Sequence, residues 1–224
     1  MNKINEVKTT SNNEEMDIIE VTEEQLEELL RELGQDNDLE PAQMIDKVLF
    51  EERHIYLQGV IDADTVNQVV PMIHYYNSED KANNISSSQR TPIKIFINSV
   101  GGEITQGKVI LSAMENSDTP IETISQGGSA SSMGMVLFLC GHVKKMSRHT
   151  EMMYHNLSAG LSGTYAEMKN QIAYYERIQN EMDAYIVERT EIPMKKLKRY
   201  RERNLDWHMS FEECKKYKVF DVEI

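Results

Sequence analysis

No stretch of this 224-residue chain reaches 18 consecutive apolar residues, so a helical membrane span is not expected. Cysteine is nearly absent. Cys140 and Cys214 are the only two; they cannot build a disulfide scaffold and lack metal-ligand spacing, and a reducing cytoplasm is the expected compartment. The first twenty residues, MNKINEVKTTSNNEEMDIIE, contain no apolar core of a secretory leader. Aromatics make up only 7% of the chain. Basic side chains are scarce at the start: residues 1–40 carry 13 acidic against 3 basic ones, while the other 184 carry 24 against 21. A polyanionic arm of this kind excludes nucleic acid as the expected main partner, because phosphate contacts need clustered Lys and Arg. The one basic cluster, Lys195–Arg203, reads as a solvated helix face.

What is present suffices for one sizeable core, since 40% of the residues are hydrophobic. Residues 1–40 read as an acidic, partly disordered arm with one short helix. In that helix, over 22–33, Leu26, Leu29, Leu30 and Leu33 form a stripe, Thr22 and Gln25 suit a capping box, and Gly34 is a stop. Residues 35–41 read as a linker, and the body is expected over 44–224.

In the body, strands are expected at Arg53–Leu57, Pro92–Ile97, Ile121–Ser125, Val143–Ser147, Met152–His155 and Val219–Ile224. Helical spacing marks Asp64–Tyr76, despite Pro71, and also Ile104–Glu115, Met133–Cys140, Thr164–Arg189 and Met194–Arg203. Residues 77–90 read as a polar surface loop. The repeated order of strand, glycine turn and helix indicates an α/β fold.

Two glycine-rich segments carry the chemistry. Ser125-Gln126-Gly127-Gly128-Ser129-Ala130-Ser131-Ser132-Met133-Gly134 lies between a strand and a helical run, where a serine meets free helix N–H groups. Asn98-Ser99-Val100-Gly101-Gly102 follows another strand and can offer a backbone N–H to an oxyanion. A nucleophilic serine needs a base, and the base needs an orienting acid. Six histidines are available, and pattern alone does not choose among them, although His155 stands at a strand end beside the flexible 156–163. Ser129 and Ser131 are alternatives to Ser132 on chemistry alone. Asp183 and Asp221 are alternatives to Asp206; Asp183 is expected on a solvated helix face and Asp221 in a structural role. Cys140, after an apolar run, is expected to be a buried small hydrophobe.

Four segments together resemble the Clp protease proteolytic subunit family: Phe96–Gly102, Gly128–Gly134, Met153-Tyr154-His155 and Asp206-Trp207-His208-Met209-Ser210. The resemblance spans about 44–224 and implies a Clp/crotonase-like α/β fold, a repeated ββα spiral with a protruding handle helix at Thr164–Arg189. It implies Ser132 as nucleophile, His155 as general base, Asp206 as the acid orienting it, and the backbone N–H groups of Gly102 and Met133 as oxyanion hole. It further implies a serine endopeptidase acting on unfolded polypeptides, with no cofactor or metal in the subunit itself. The expected assembly is a homo-oligomer of two stacked heptameric rings, served by a partner AAA+ unfoldase that consumes ATP. Val100 stands where the family usually has proline, which implies a less rigid glycine turn. Three other readings share parts of the pattern: a viral head-maturation peptidase, a non-catalytic ring subunit, and a crotonase-type acyl-CoA enzyme.

Overall fold

The computed structural model describes residues 40–224; the short helix expected over 22–33 and most of the linker lie outside them. The chain divides into two units, 1–51 and 52–224. In the first, helix α1 (Pro41–Glu51) buries no side chain and exposes Met44, Ile45, Val48 and Phe50. The sequence reading missed this helix, because Pro41 suggested a linker when it in fact opens the first turn.

The second unit is mixed α/β. In order it comprises β1 (His54–Ile61), α2 (Ala63–Ala82), β2 (Ile93–Gly102), α3 (Ile104–Glu115), β3 (Ile121–Ser125), β4 (Gly128–Ser131), α4 (Met133–Leu139), β5 (Val143–Met146) and β6 (Thr150–Tyr154). It continues with α5 (Tyr165–Arg189), α6 (Met194–Glu202), β7 (Trp207–Met209), α7 (Phe211–Lys216) and β8 (Val222–Glu223).

The ten-residue β2 organises the sheet. One edge pairs in parallel with β1; the other pairs with β3 along residues 93–96 and then with β4 at Ser99. The sheet therefore forks. One arm is β3–β5–β8 and the other β4–β6–β7, all parallel except β6 with β7. Each ββα pass, β3–β4–α4 and then β5–β6–α5, adds one strand to each arm. Side chains of β2 alternate as a half-buried strand requires, with Ile93, Ile95, Ile97 and Ser99 inward. Helix α4 is buried at all seven positions, which explains why its sequence is apolar without periodicity.

Several boundaries differ from the sequence reading. α2 runs six residues beyond Tyr76, because its buried series Thr65, Val69, Ile73 and Tyr76 continues to Asp80. Pro71 is tolerated because it and Asn67, the residue four earlier to whose carbonyl it can donate no N–H, both face solvent. The expected 77–90 loop is correspondingly shorter. The Gly101-Gly102 pair is not a turn but the extended end of β2, and the Gly/Ser-rich segment contains the strand β4. The short β7 and α7 went unread, and the last strand is only Val222–Glu223. Among the described residues no helix is long and apolar enough to cross a membrane.

Candidate active site

The forked sheet brings two chain ends together. β4 and β6 are parallel neighbours with Ser131 opposite Met153, so the residues that follow both strands emerge at the same carboxyl edge. Ser132 follows β4 and His155 follows β6. The Ser132 Oγ lies 2.8 Å from His155 Nε2, and both residues are half-buried.

Ser132 has φ 55° and ψ −123°, outside the regions open to ordinary L-residues at low cost. Such a backbone costs about 1–3 kcal/mol and persists only where its surroundings hold it. Here its N–H donates to the Met153 carbonyl at 2.8 Å, and its carbonyl accepts from the N–H groups of Met135 and Val136 at 3.1 and 3.3 Å. The fully buried α4 anchors the next seven residues. Gly101 backs the serine closely: at φ +95°, a Cβ there would lie 2.7 Å from Ser132 Cβ and 3.1 Å from the Met133 amide nitrogen.

Gly102 sits at the rim of the same cleft. Glu103, not Gly102, donates its N–H to the Ile61 carbonyl, at 2.8 Å. The Gly102 amide is left out of that bond, and a Cβ there would lie 2.3 Å from the Ile61 carbonyl oxygen. Met133, whose amide opens α4, is buried. The cleft, about 680 Å³, is lined on this side by Val100, Gly101, Gly102, Ser132 and His155, and on the other by Leu157, Tyr174 and Tyr175.

The other candidates fall out differently. Ser129 and Ser131 Oγ atoms lie 2.6 Å apart, bonded to each other and not to a histidine. His142 Nδ1 accepts from the Ile121 N–H, His208 pairs with Glu151 and His54 adjoins Lys94, so all three serve the sheet. Asp206 is exposed, and no hydrogen bond joins it to His155 among the described residues. The antiparallel ladder of β6 and β7 ends at Tyr154 opposite Trp207, so continuing it by one step sets His155 opposite Asp206. Asp221 accepts the Lys144 N–H and pairs with the Lys144 ammonium, which agrees with a structural role. Cys140 is buried, and burial pushes its thiol up.

Asp183 requires a correction. It is not on a solvated face but fully buried. Its Oδ1 accepts from the Tyr154 hydroxyl at 2.7 Å and from Gln179 Nε2 at 2.9 Å, and its Oδ2 from Arg201 at 2.8 Å. Arg201 thereby leaves the solvated face assigned to the basic cluster, as does Lys196, whose ammonium lies 4.0 Å from the Trp207 ring centroid. Gln179 Oε1 also accepts the Leu157 N–H at 2.6 Å, tying down the segment after His155. Tyr154 and Gln179 were not singled out from the sequence. The available signal was that Gln179 and Asp183, one turn apart, interrupt the apolar stripe of α5 on the side of Ile178 and Ile186.

A forked α/β sheet with a serine–histidine pair where two parallel strands end is the class of protein these observations define. The chain matches the Clp protease family over residues 35–222 and belongs to that family. It is 30% identical over 188 residues to the ATP-dependent Clp protease proteolytic subunit of Pleurastrum terricola, covering 83% of this chain and 91% of that one. It is also 30% identical over 176 residues to the ATP-dependent Clp protease proteolytic subunit 2 of Bacillus licheniformis, covering 78% and 87%.

Proposed function

We propose that this chain is a serine endopeptidase that cleaves unfolded polypeptides as the proteolytic subunit of a Clp complex. The single observation carrying this reading is the 2.8 Å contact between Ser132 Oγ and His155 Nε2, made by a serine in a strained, left-handed backbone. His155 takes the Ser132 proton as the oxygen attacks the peptide carbonyl. The oxyanion that forms is received by the backbone N–H groups of Gly102 and Met133. His155 then protonates the leaving amine, and water releases the acyl-enzyme by the same route. Asp206 is the orienting acid. Its place one register step past the β6–β7 ladder supports that role; the proposed triad requires its exposed carboxylate to turn towards His155 Nδ1.

The chain acts in two stacked heptameric rings fed by an ATP-consuming AAA+ unfoldase, and the subunit itself uses no cofactor. Family membership supports this assembly. So does α5, whose first half, from Tyr165 to Arg177, buries no side chain and exposes Tyr165, Ile172 and Tyr174. A fluorophosphonate probe is expected to label Ser132, and Ser132→Ala to abolish both labelling and peptide hydrolysis. Hydrolysis persisting in that variant overturns the reading.

A further inference from the structure

Behind the serine–histidine pair lies a second, smaller recess of about 50 Å³. Ser132 and His155 stand at its edge, and its walls are Ile104, Met133, Val136, Met182 and Ile186, with Tyr154 and Gln179. It is apolar apart from these last two. An apolar recess beside the nucleophile receives the side chain of the residue whose carbonyl is attacked (P1). Its size is the informative quantity. A cavity of about 150 Å³ admits benzene, and one water molecule occupies about 30 Å³ of liquid. The recess has about a third of the benzene-sized volume and opens onto the main cleft, with which it shares Ile104, Ser132, His155 and Leu157, so it seats a methyl group readily and is tight for a leucine or phenylalanine side chain.

What keeps it small is fixed in place. Tyr154 is 3% exposed, and its hydroxyl donates to the fully buried Asp183 at 2.7 Å. Burial, and then the Asp183 carboxylate, pushes the Tyr154 phenol far above its ordinary value, so it stays a donor at any working pH. Arg201 and Gln179 satisfy the rest of that carboxylate, and Gln179 also holds Leu157. The ring cannot swing away to admit a larger group without breaking a hydrogen bond to a buried charge.

We propose that Tyr154, clamped by Asp183, determines specificity: it limits the primary pocket so that this peptidase cleaves after small side chains, alanine first, and discriminates against leucine, methionine and phenylalanine at P1. The inference rests on the serine-peptidase reading above and deepens it. It is tested on the full-length assembled protein with fluorogenic peptides that differ only at P1 (alanine, valine, leucine, phenylalanine), run beside fluorophosphonate labelling. Alanine is expected to exceed leucine in kcat/KM by about tenfold or more, the discrimination that a few methylenes in an apolar pocket provide. Tyr154→Ala is expected to raise the leucine-to-alanine ratio by about tenfold. Because Tyr154 belongs to the core, Met182→Ala, at a half-buried wall position, provides a second variant with the same expected direction. A wild-type profile that is flat or favours leucine, with labelling intact, overturns the pocket assignment and leaves the serine peptidase standing. A ratio unchanged in every variant that folds does the same. A wild-type protein that neither labels nor hydrolyses any peptide overturns both.

Discussion

At the scale of single residues, the placing of the nucleophile is set by backbone. The Ser132 conformation would be costly anywhere, and it survives because Met153, the start of α4 and Gly101 each hold it from a different side. Gly101 is the position most sensitive to change. It has φ +95°, and an added methyl would lie 2.7 Å from Ser132 Cβ and 2.9 Å from the Ser131 carbonyl oxygen. Neither neighbour is a flexible side-chain end that could move aside. Gly101→Ala is expected to displace the nucleophile and lower kcat by about 10²-fold, the effect of a misplacement near 1 Å. Stopped-flow peptide hydrolysis and the rate of fluorophosphonate labelling should fall together, while far-UV circular dichroism stays close to wild type. An unchanged kcat would mean that the serine does not need this backing.

At the scale of elements, one buried carboxylate ties the end of a helix to the starts of three strands. Asp80, in the last turn of α2, is fully buried and accepts both guanidinium nitrogens of Arg53 at 2.6 and 2.8 Å. Arg53 precedes β1 and also donates to the Thr91 carbonyl before β2, while Thr119, before β3, donates to Asp80 at 2.8 Å. The Arg53 hydrogen bonds hold the Asp80 carboxyl below its ordinary range. Its stabilising contribution is therefore complete above the unfolded carboxyl value, near 3.9, and is lost as pH falls through the lower folded one. Asp80→Asn leaves the largely buried Arg53 charge with only Glu79, at 3.2 Å and partly exposed, as a carboxylate partner, and should cost up to about 3–5 kcal/mol. Urea denaturation at fixed protein concentration measures this. The wild-type minus variant difference should be constant from pH 5 to 8 and shrink below about pH 4. A difference that instead grows on acidification would contradict the pairing.

At the scale of the whole molecule, α5 is both a wall of the site and a protrusion. Its 25 residues span about 37 Å. Its second half supplies Gln179, Met182 and Ile186 to the recess, and its first half stays uncovered. The proposed double ring covers that half, and with chains of 25.9 kDa it predicts a native particle of about 360 kDa. Multi-angle light scattering of the native protein checks this, and a monodisperse 26 kDa species at micromolar concentration would contradict the ring.

The sequence by itself determined the α/β class and the positions of α3, β3 and α5, and it marked the Ser/Gly segment as a candidate; only the resemblance carried by four motifs joined that segment to His155. Those features are local: hydrophobic period, glycine punctuation and the order of motifs are written along the chain. It did not reveal that α2 continues to Asp80, because the reason is Arg53, 27 residues earlier. It did not reveal that the Gly/Ser segment is itself a strand, because β4 exists only by pairing with β2 and β6. It placed Asp183 in water, because a carboxylate on a helix reads as solvated until Tyr154, Gln179 and Arg201 converge on it. Only the tertiary structure decided these, since the free energy of a buried polar group is set by the partners that reach it, and those lie far off along the chain.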